Sequence, residues 1–568
     1  MLADRVVAAR PGGLAPRSGG ARLAAGGAAA RRPRHRRHAA GLRTAAAAPS
    51  SAPVGEQEAA GGACPFLAAL PAPPPAGTRW HERVRQLFAP LDYQRGALGP
   101  HSVVADQAGL GLPDQLVVGD PELVRKVFNG EADGSVTVSA ASLLGSRKLV
   151  GGSNLLMSPE PRHKYLRALI MPAFAPEAIE AQVPRMERVL RTYLDKWAGA
   201  PRVLAHEELR RMTFEFIVAI VMGADYDAST IDRLSNLFSA WTGGLLAWPF
   251  LDLPFTPFGR AMAARRELLA FFAGAVERAR ADLAAGRAVP GVLGALVGAV
   301  DDEGRTLSDV ELGDNLLLVL LAGHDTSSTT LTNVLVNLQD HPEAMAQLRA
   351  EQAALVARRG AAIDGAALRE MHYAEAVIRE TLRLNNVVVG LMRSAAKDFE
   401  LGGYRVPAGS TLYLALSDVA LRDARWADDD PAAFRPARML TPEGQRPGAL
   451  MRERAPPCGA APRRGRPPAA RAAPTPPPCR LAAAAAAAFG HGPRFCAGYA
   501  LAMAEMKTFL ALLARDYDFD ADTNTAWRQE IGRVPKNGLP TTVRRRSAAA
   551  AAAAPAPAAG AETPARAR

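Results

Sequence analysis

Lysine is nearly absent from this chain: only seven of its 68 basic residues are lysine, and many of the arginines crowd into stretches too biased in composition to fold. The formal net charge of +12 is therefore a poor argument for a nucleic-acid partner. Cysteine is scarce as well. Cys64, Cys458, Cys479 and Cys496 stand at unrelated spacings, which excludes a disulfide framework and a zinc pattern and suits a reducing compartment. Acidic residues are missing from the N-terminus, where Asp4 is the only one before Glu56. The first 60 residues also lack an apolar run long enough to span a bilayer, so no transmembrane anchor is evident there. No repeat of fixed period is visible, which excludes a solenoid.

Residues 1–60 are instead rich in Ala, Arg and Gly, as in "RRPRHRRHAAGLRTAAAAPSS". An arginine-rich, acid-poor leader is similar to an organelle transit peptide, for a chloroplast or else a mitochondrion. A low-complexity tail without an address is the alternative. The Pro/Ala/Arg tract at 452–488 and the tail at 546–568 share this bias and receive no assigned structure, so Cys458 and Cys479 receive no role.

Between these ends, residues 75–545 read as mostly helical. "EELRRMTFEFIVAIVMG" and "AMAARRELLAFFAGAVERARADLAAG" carry apolar residues at helical spacing and end at glycine. "LSDVELGDNLLLVLLAGHDTSSTTLTNVLVNLQDHP" opens on a capping box, Ser308-x-x-Glu311, and is apolar on nearly all faces around Leu316–Ala322, which predicts a buried central helix. Strand-like pieces are few: "DQLVVGD", "FELGGYRVPAGSTLYLAL" and "GLPTTVRR". The fold class that follows is mainly α with a small β portion.

Three polar sets interrupt the apolar pattern. "AGHDTSST" puts His324, Asp325 and four hydroxyls into helix core, where Gly323 permits close approach of another group. Such a distortion can hold water and pass protons; otherwise this is where the helix surfaces. Glu380 and Arg383 stand at i, i+3, and His163 and Arg167 at i, i+4, each an ion pair or basic face that solvation alone could explain. The fourth feature is "AAAFGHGPRFCAGYALAMAEMK". Cys496 sits in a glycine-rich turn before a helix-like run, with Arg494 two residues upstream, a setting expected to lower the thiol's pKa. Metal ligand, nucleophile and accident of composition are the candidate roles.

Together these pieces resemble the cytochrome P450 family. The family's cysteine loop, Phe-x-x-Gly-x-Arg-x-Cys-x-Gly, is met by Phe489, Gly492, Arg494, Cys496 and Gly498. A chance match in a chain of this composition is of order ~10⁻⁴. The His163/Arg167 helix, "AGHDT", the Glu380–Arg383 pair, Arg393 in "GLMRSA" and "FRPAR" occur in the family's order, and the resemblance covers nearly all of 75–545.

The resemblance implies an α-rich triangular prism around haem with a small β lobe. It implies haem b (iron protoporphyrin IX), with Cys496 as the axial thiolate, Phe489 shielding the sulfur, and Gly492 and Gly498 letting the loop approach and donate N–H bonds. Arg494, Arg393, Arg167 and His163 would pair with the propionates. Ala322 and Gly323 would lie over the distal face beside the catalytic pair, Asp325 and Thr326, which deliver protons for oxygen activation. Glu380, Arg383 and Arg438 would form a structural salt-bridge set. The implied partners are O2, a small hydrophobic substrate and an electron donor, a ferredoxin or an NADPH-dependent P450 reductase, and no nucleic acid.

Some features depart from the family. "RLNNVVVGLMR" lacks the usual proline pair, "FRPAR" has Ala437 where Glu is usual, and 441–488 is an insertion or a retained intron. "LDLPFTPFGRAMAARREL" and "LLMSPEPRHKYLRALIMPAFAPEAI" look like the group of retinoic-acid, abscisic-acid and sterol hydroxylases with their cyanobacterial relatives, which implies an isoprenoid-derived substrate. Residues 234–255, with one charge, Asp252, fall at the family's substrate-access loop, either dipping into a bilayer surface or packing as core. Two rival functions stay open: hydroperoxide rearrangement without O2, and a non-catalytic haem-binding or sensing protein.

Overall fold

Capping chemistry and apolar spacing decide where the helices of this chain begin and end. The computed structural model describes residues 98, 103–106, 115–139, 146–245, 247, 251–301, 303–422, 430–440 and 488–547. The leader at 1–60, the insertion at 441–487 with Cys458 and Cys479, and the tail from 548 lie outside the described residues.

The first helices are α1 (Pro121–Asn129), α2 (Ser146–Val150), α3 (Arg162–Ile170), α4 (Pro176–Glu180) and α5 (Val183–Ala198). Next come α6 (Ala205–Met222), α7 (Ala228–Thr242), α8 (Pro257–Ala284), α9 (Gly291–Val297) and α10 (Asp309–Asp340). The last are α11 (Pro342–Arg359), α12 (Gly365–Glu370), α13 (His372–Leu384), α14 (Leu416–Arg422) and α15 (Tyr499–Asp516). The expected capping box opens α10: the Ser308 N–H donates to Glu311 Oε2 at 3.0 Å, and the Glu311 N–H donates to the Ser308 hydroxyl at 3.4 Å. Thr256 caps α8 by accepting from the Gly259 N–H at 3.0 Å, with Pro257 in the first turn, where its missing N–H costs nothing.

The strands are β1 (Val103–Asp106), β2 (Gln115–Val118), β3 (Val136–Val138), β4 (Val203–Leu204), β5 (Leu391–Ala395) and β6 (Phe399–Leu401). They continue with β7 (Tyr404–Val406), β8 (Thr411–Leu414), β9 (Tyr517–Ala521), β10 (Trp527–Gln529), β11 (Arg533–Pro535) and β12 (Pro540–Arg545). One sheet has the order β1-β2-β8-β5-β3, with β2 parallel to β8 and the other pairs antiparallel; another has the order β4-β12-β9. All four residues of β2 and of β8 are buried, as a sheet covered on both faces requires. The three strand regions expected from sequence are found. Those missed are two to five residues long, too short for a period to register.

Around α10 pack α6, α8, α13, α11 and α15. Their shared core includes Trp197, Phe214, Ile217, Leu320, Leu382 and Phe509. The stretch 234–255 divides. Leu234, Phe238 and Trp241 are core residues of α7, and the Trp241 indole donates to the Leu149 carbonyl at 2.9 Å. Leu251, Leu253 and Phe255 are instead exposed, to 49%, 42% and 75%. Among the described residues no helix is long and apolar enough to cross a membrane.

Candidate functional site

The cysteine loop is held by its own backbone and by α1. The Cys496 N–H donates to the Phe489 carbonyl at 2.9 Å, and Gly492–Arg494 make one 3-10 turn between them. Gly492 has φ +68°, and a Cβ there would lie 2.8 Å from the Phe128 carbonyl, so only glycine lets the loop rest on the end of α1. The N–H groups of Gly498 and Tyr499, at the start of α15, favour the ionised Cys496 sulfur, and Arg167 adds a favourable charge. Burial outweighs all three and pushes the thiol up. This corrects the expectation of a lowered pKa. Arg494, two residues upstream, turns to Glu131 instead, so the cation acting on the sulfur is Arg167. A raised pKa argues against a free thiolate nucleophile.

Helix α10 runs unbroken through "AGHDTSST", so no distortion interrupts it. Its hydroxyls bond back along the helix: Thr326 donates to the Ala322 carbonyl at 2.6 Å and Thr330 to the Thr326 carbonyl at 2.8 Å. From Ser327 to Leu338 every residue is buried, which rules out a solvated surface. Between Leu312 and Leu338 the residues left open are Leu318, Val319, Leu321, Ala322, Gly323 and Thr326, and Ala322 is the most exposed. Val319, Ala322, Gly323 and Thr326 fall at i, i+3, i+4 and i+7, a single stripe. An otherwise buried helix thus presents one apolar face carrying one hydroxyl. Gly323 also lets α6 close in, since a Cβ there would lie 2.6 Å from Ile217 Cδ1.

Asp325 does not share that stripe. Consecutive helical residues point about 100° apart, and its carboxylate faces α6, 3.4 Å from the Arg210 guanidinium. Burial raises its pKa to about 6, against the pull of Arg210. Arg210 also reaches Glu530 at 3.1 Å, and Glu530 meets His206 at 3.3 Å. His324 is a core histidine: burial drives its pKa down to about 3, Nδ1 meets the Thr213 hydroxyl at 2.9 Å, and Phe214 and Phe238 pack edge-on against it.

The four expected propionate partners come within electrostatic reach of one another around Arg494. His163 and Arg167 lie on α3, within electrostatic reach of Arg494. Arg393 on β5 and Arg494 on the loop both place Nε on the carboxylate of Glu131, a buried residue absent from the sequence-based set. His163 Nδ1 meets Glu160 at 2.9 Å. Arg167 is half-buried, and among the described residues no carboxylate pairs with it.

Glu380, Arg383 and Arg438 come together. Arg383 grips Glu380 through Nε and Nη2, both at 2.8 Å, and Arg438 Nε lies 2.9 Å from Glu380 Oε1. Beyond Glu131, sequence reasoning missed Arg210, His206, Glu530 and Glu505. Each acts across a long separation and carries no local motif.

The cytochrome P450 family profile matches residues 109–533. Abscisic acid 8'-hydroxylase 2 of Arabidopsis thaliana is 31% identical over 292 residues, 50% of this chain and 60% of that protein. Ent-kaurenoic acid oxidase 1 of Arabidopsis thaliana is 31% identical over 310 residues, 53% and 60% of the two chains. The matched part therefore spans about three fifths of these relatives. A solved structure, retinoic acid bound cyanobacterial CYP120A1, superposes with a TM-score of 0.67 at 23% identity, covering 84% of this chain and 100% of that one. With the cysteine loop, the open helix face and three quarters of its length matched by the profile, the chain belongs to the cytochrome P450 family.

Proposed function

We propose that the protein is a haem-thiolate monooxygenase that inserts one oxygen atom of O2 into a small hydrophobic, isoprenoid-derived substrate. One observation carries the cofactor: among the described residues no group of three His, Cys, Asp or Glu could hold a metal. A metal at Cys496 would find no further ligand set among the described residues, which suits a porphyrin that brings its own nitrogens. The charges fit haem b. Arg393 and Arg494 share one buried carboxylate, Glu131, and Arg167 pairs with no carboxylate among the described residues, which leaves two positive charges for two propionates. Arginine does not shed its proton, so such an excess calls for anions. Haem bound here would supply oxygen activation, which an axial thiolate favours.

The chain's own residues do the rest. The N–H groups of Gly498 and Tyr499 favour the ionised sulfur. Val319, Ala322 and Gly323 line an apolar wall that excludes water and receives a lipophilic substrate. Thr326 Oγ1 is the hydroxyl on that wall, able to relay a proton. Asp325, with a pKa of about 6, holds or releases one behind it. Leu251, Leu253 and Phe255 suit a membrane surface where such substrates reside. The names of the relatives, which include abscisic acid and kaurenoic acid enzymes, support an isoprenoid-derived substrate. The arginine-rich leader supports a chloroplast, and a ferredoxin or NADPH-dependent reductase would donate electrons.

The test is reductant-dependent O2 consumption with a panel of retinoids, abscisic acid and diterpenoid acids. One of these should shift the haem spectrum and raise both oxygen uptake and hydroxylated product. Rearrangement of a hydroperoxide without reductant, or haem binding with no turnover at all, would overturn the proposal.

A further inference from the structure

We infer that Glu131 is a positioning residue for the cofactor: it clamps Arg393 and Arg494 through Nε and sets the positive charge that the haem propionates meet. The inference rests on the haem reading above. Glu131 is 4% exposed, in the turn that follows α1. Its Oε1 accepts from the Arg393 Nε–H at 2.5 Å, and its Oε2 pairs with the Arg494 guanidinium on its Nε side as an ion contact without hydrogen-bond geometry. Three segments meet on this one carboxylate: the α1 turn, strand β5 and the cysteine loop.

The geometry divides the labour of each guanidinium. A planar guanidinium held by Nε has its orientation fixed, with its Nη groups carried to the far side. Arg494 Nη2 donates to the Ser158 carbonyl at 2.8 Å and Arg393 Nη1 to the Met392 carbonyl at 3.0 Å, which fixes both planes further. Glu160, another acid that acts on Arg494, is exposed and already bonded by His163 and the Lys164 N–H. Glu131 is thus the buried counter-charge of the group. Without it, three arginines would meet two propionates.

That excess has an electrical consequence. Ferrous haem carries one positive charge less than ferric haem, so added positive charge nearby favours reduction. Glu131→Gln keeps the side-chain size and removes the charge. It should raise the haem reduction potential and speed haem transfer to excess apomyoglobin by ~10–100-fold, the scale of outer-shell losses. The double variant Glu131→Gln/Arg393→Gln restores the charge balance but not the grip. Its potential should return towards the parent value while haem still leaves quickly. Simple packing damage would not reverse a potential in this way.

The experiment compares potential and haem transfer in the full-length holoprotein, the single variant and the double variant. A folded Glu131→Gln protein with the parent potential and transfer rate overturns the inference. So does a double variant whose potential stays with the single. If the single variant does not fold, the double decides alone: haem bound at the parent potential supports the clamp, and no haem or a displaced potential refutes it. A parent protein that binds no haem would instead sink the haem reading itself.

Discussion

Replacing Glu380 by Gln should cripple the fold while barely changing its shape. Glu380 is 0% exposed, and one carboxylate serves two buried arginines and the Arg435 N–H, which donates to Oε1 at 3.0 Å. Those arginines also hold backbone: Arg383 donates to the carbonyls of Pro431 and Ala433, and Arg438 to those of Asp430 and Ala433. The set therefore pins 430–439 to α13. A glutamine amide offers one acceptor and turns an NH2 towards guanidinium donors, leaving buried cations without a counter-charge. Breaking a buried pair costs about 3–5 kcal/mol. A fold of this kind has about 5–15 kcal/mol to lose, so the change removes a fifth or more of the stability. Urea unfolding followed by tryptophan fluorescence would read it. Arg438→Met tested alone and with Glu380→Gln closes a cycle, and a coupling of about 1–3 kcal/mol is expected, because an arginine already without its partner is cheaper to remove. A single-variant cost under about 1 kcal/mol, the value of an exposed pair, or strictly additive costs, would refute the reasoning.

Thr326→Ala should keep haem and substrate binding but divert reducing equivalents to peroxide, with product formation down by up to ~10²-fold; normal coupling would reduce Thr326 to a packing residue. Glu505 on α15 is buried, and burial pushes its pKa up to about 8 against a lowering influence of Ser327. Its folded pKa lies above the unfolded one, so its contribution is complete below about 4.5 and lost as pH rises through about 8. The parent's urea midpoint should fall between pH 6 and 9 more steeply than that of Glu505→Gln, and equal slopes would contradict this. Phe255→Ser should weaken binding to lipid vesicles by roughly tenfold or more, from the ~1.5–3 kcal/mol of burying one such ring; unchanged co-sedimentation would remove the membrane contact.

What could be read from sequence was local. The Ser308–Glu311 box, the Glu380–Arg383 pair and the cysteine loop each lie within ten residues, so spacing alone places them on one turn or one face. The central helix was legible by its apolar run. Its open stripe was not, because which face stays uncovered depends on α6, α8 and α13 packing elsewhere. Asp325 illustrates this: sequence sets it beside Thr326, but the helix turns it to Arg210 on α6. Arg494 is the converse. It stands two residues from Cys496, yet Glu131, brought in by the register of β3 with β5, captures it. Burial then settles the thiol's pKa against local charge, a balance that no motif records.

The central claim is that the sulfur of Cys496 holds the haem iron. The carbon-monoxide difference spectrum of the purified, reduced protein, taken beside that of Cys496→Ala, tests it most directly. The parent should give the red-shifted band of a thiolate–CO complex, and the variant should lose that band while its circular dichroism stays that of a folded helical protein. A red-shifted band that survives the loss of Cys496, or a parent that never shows one, would contradict the account.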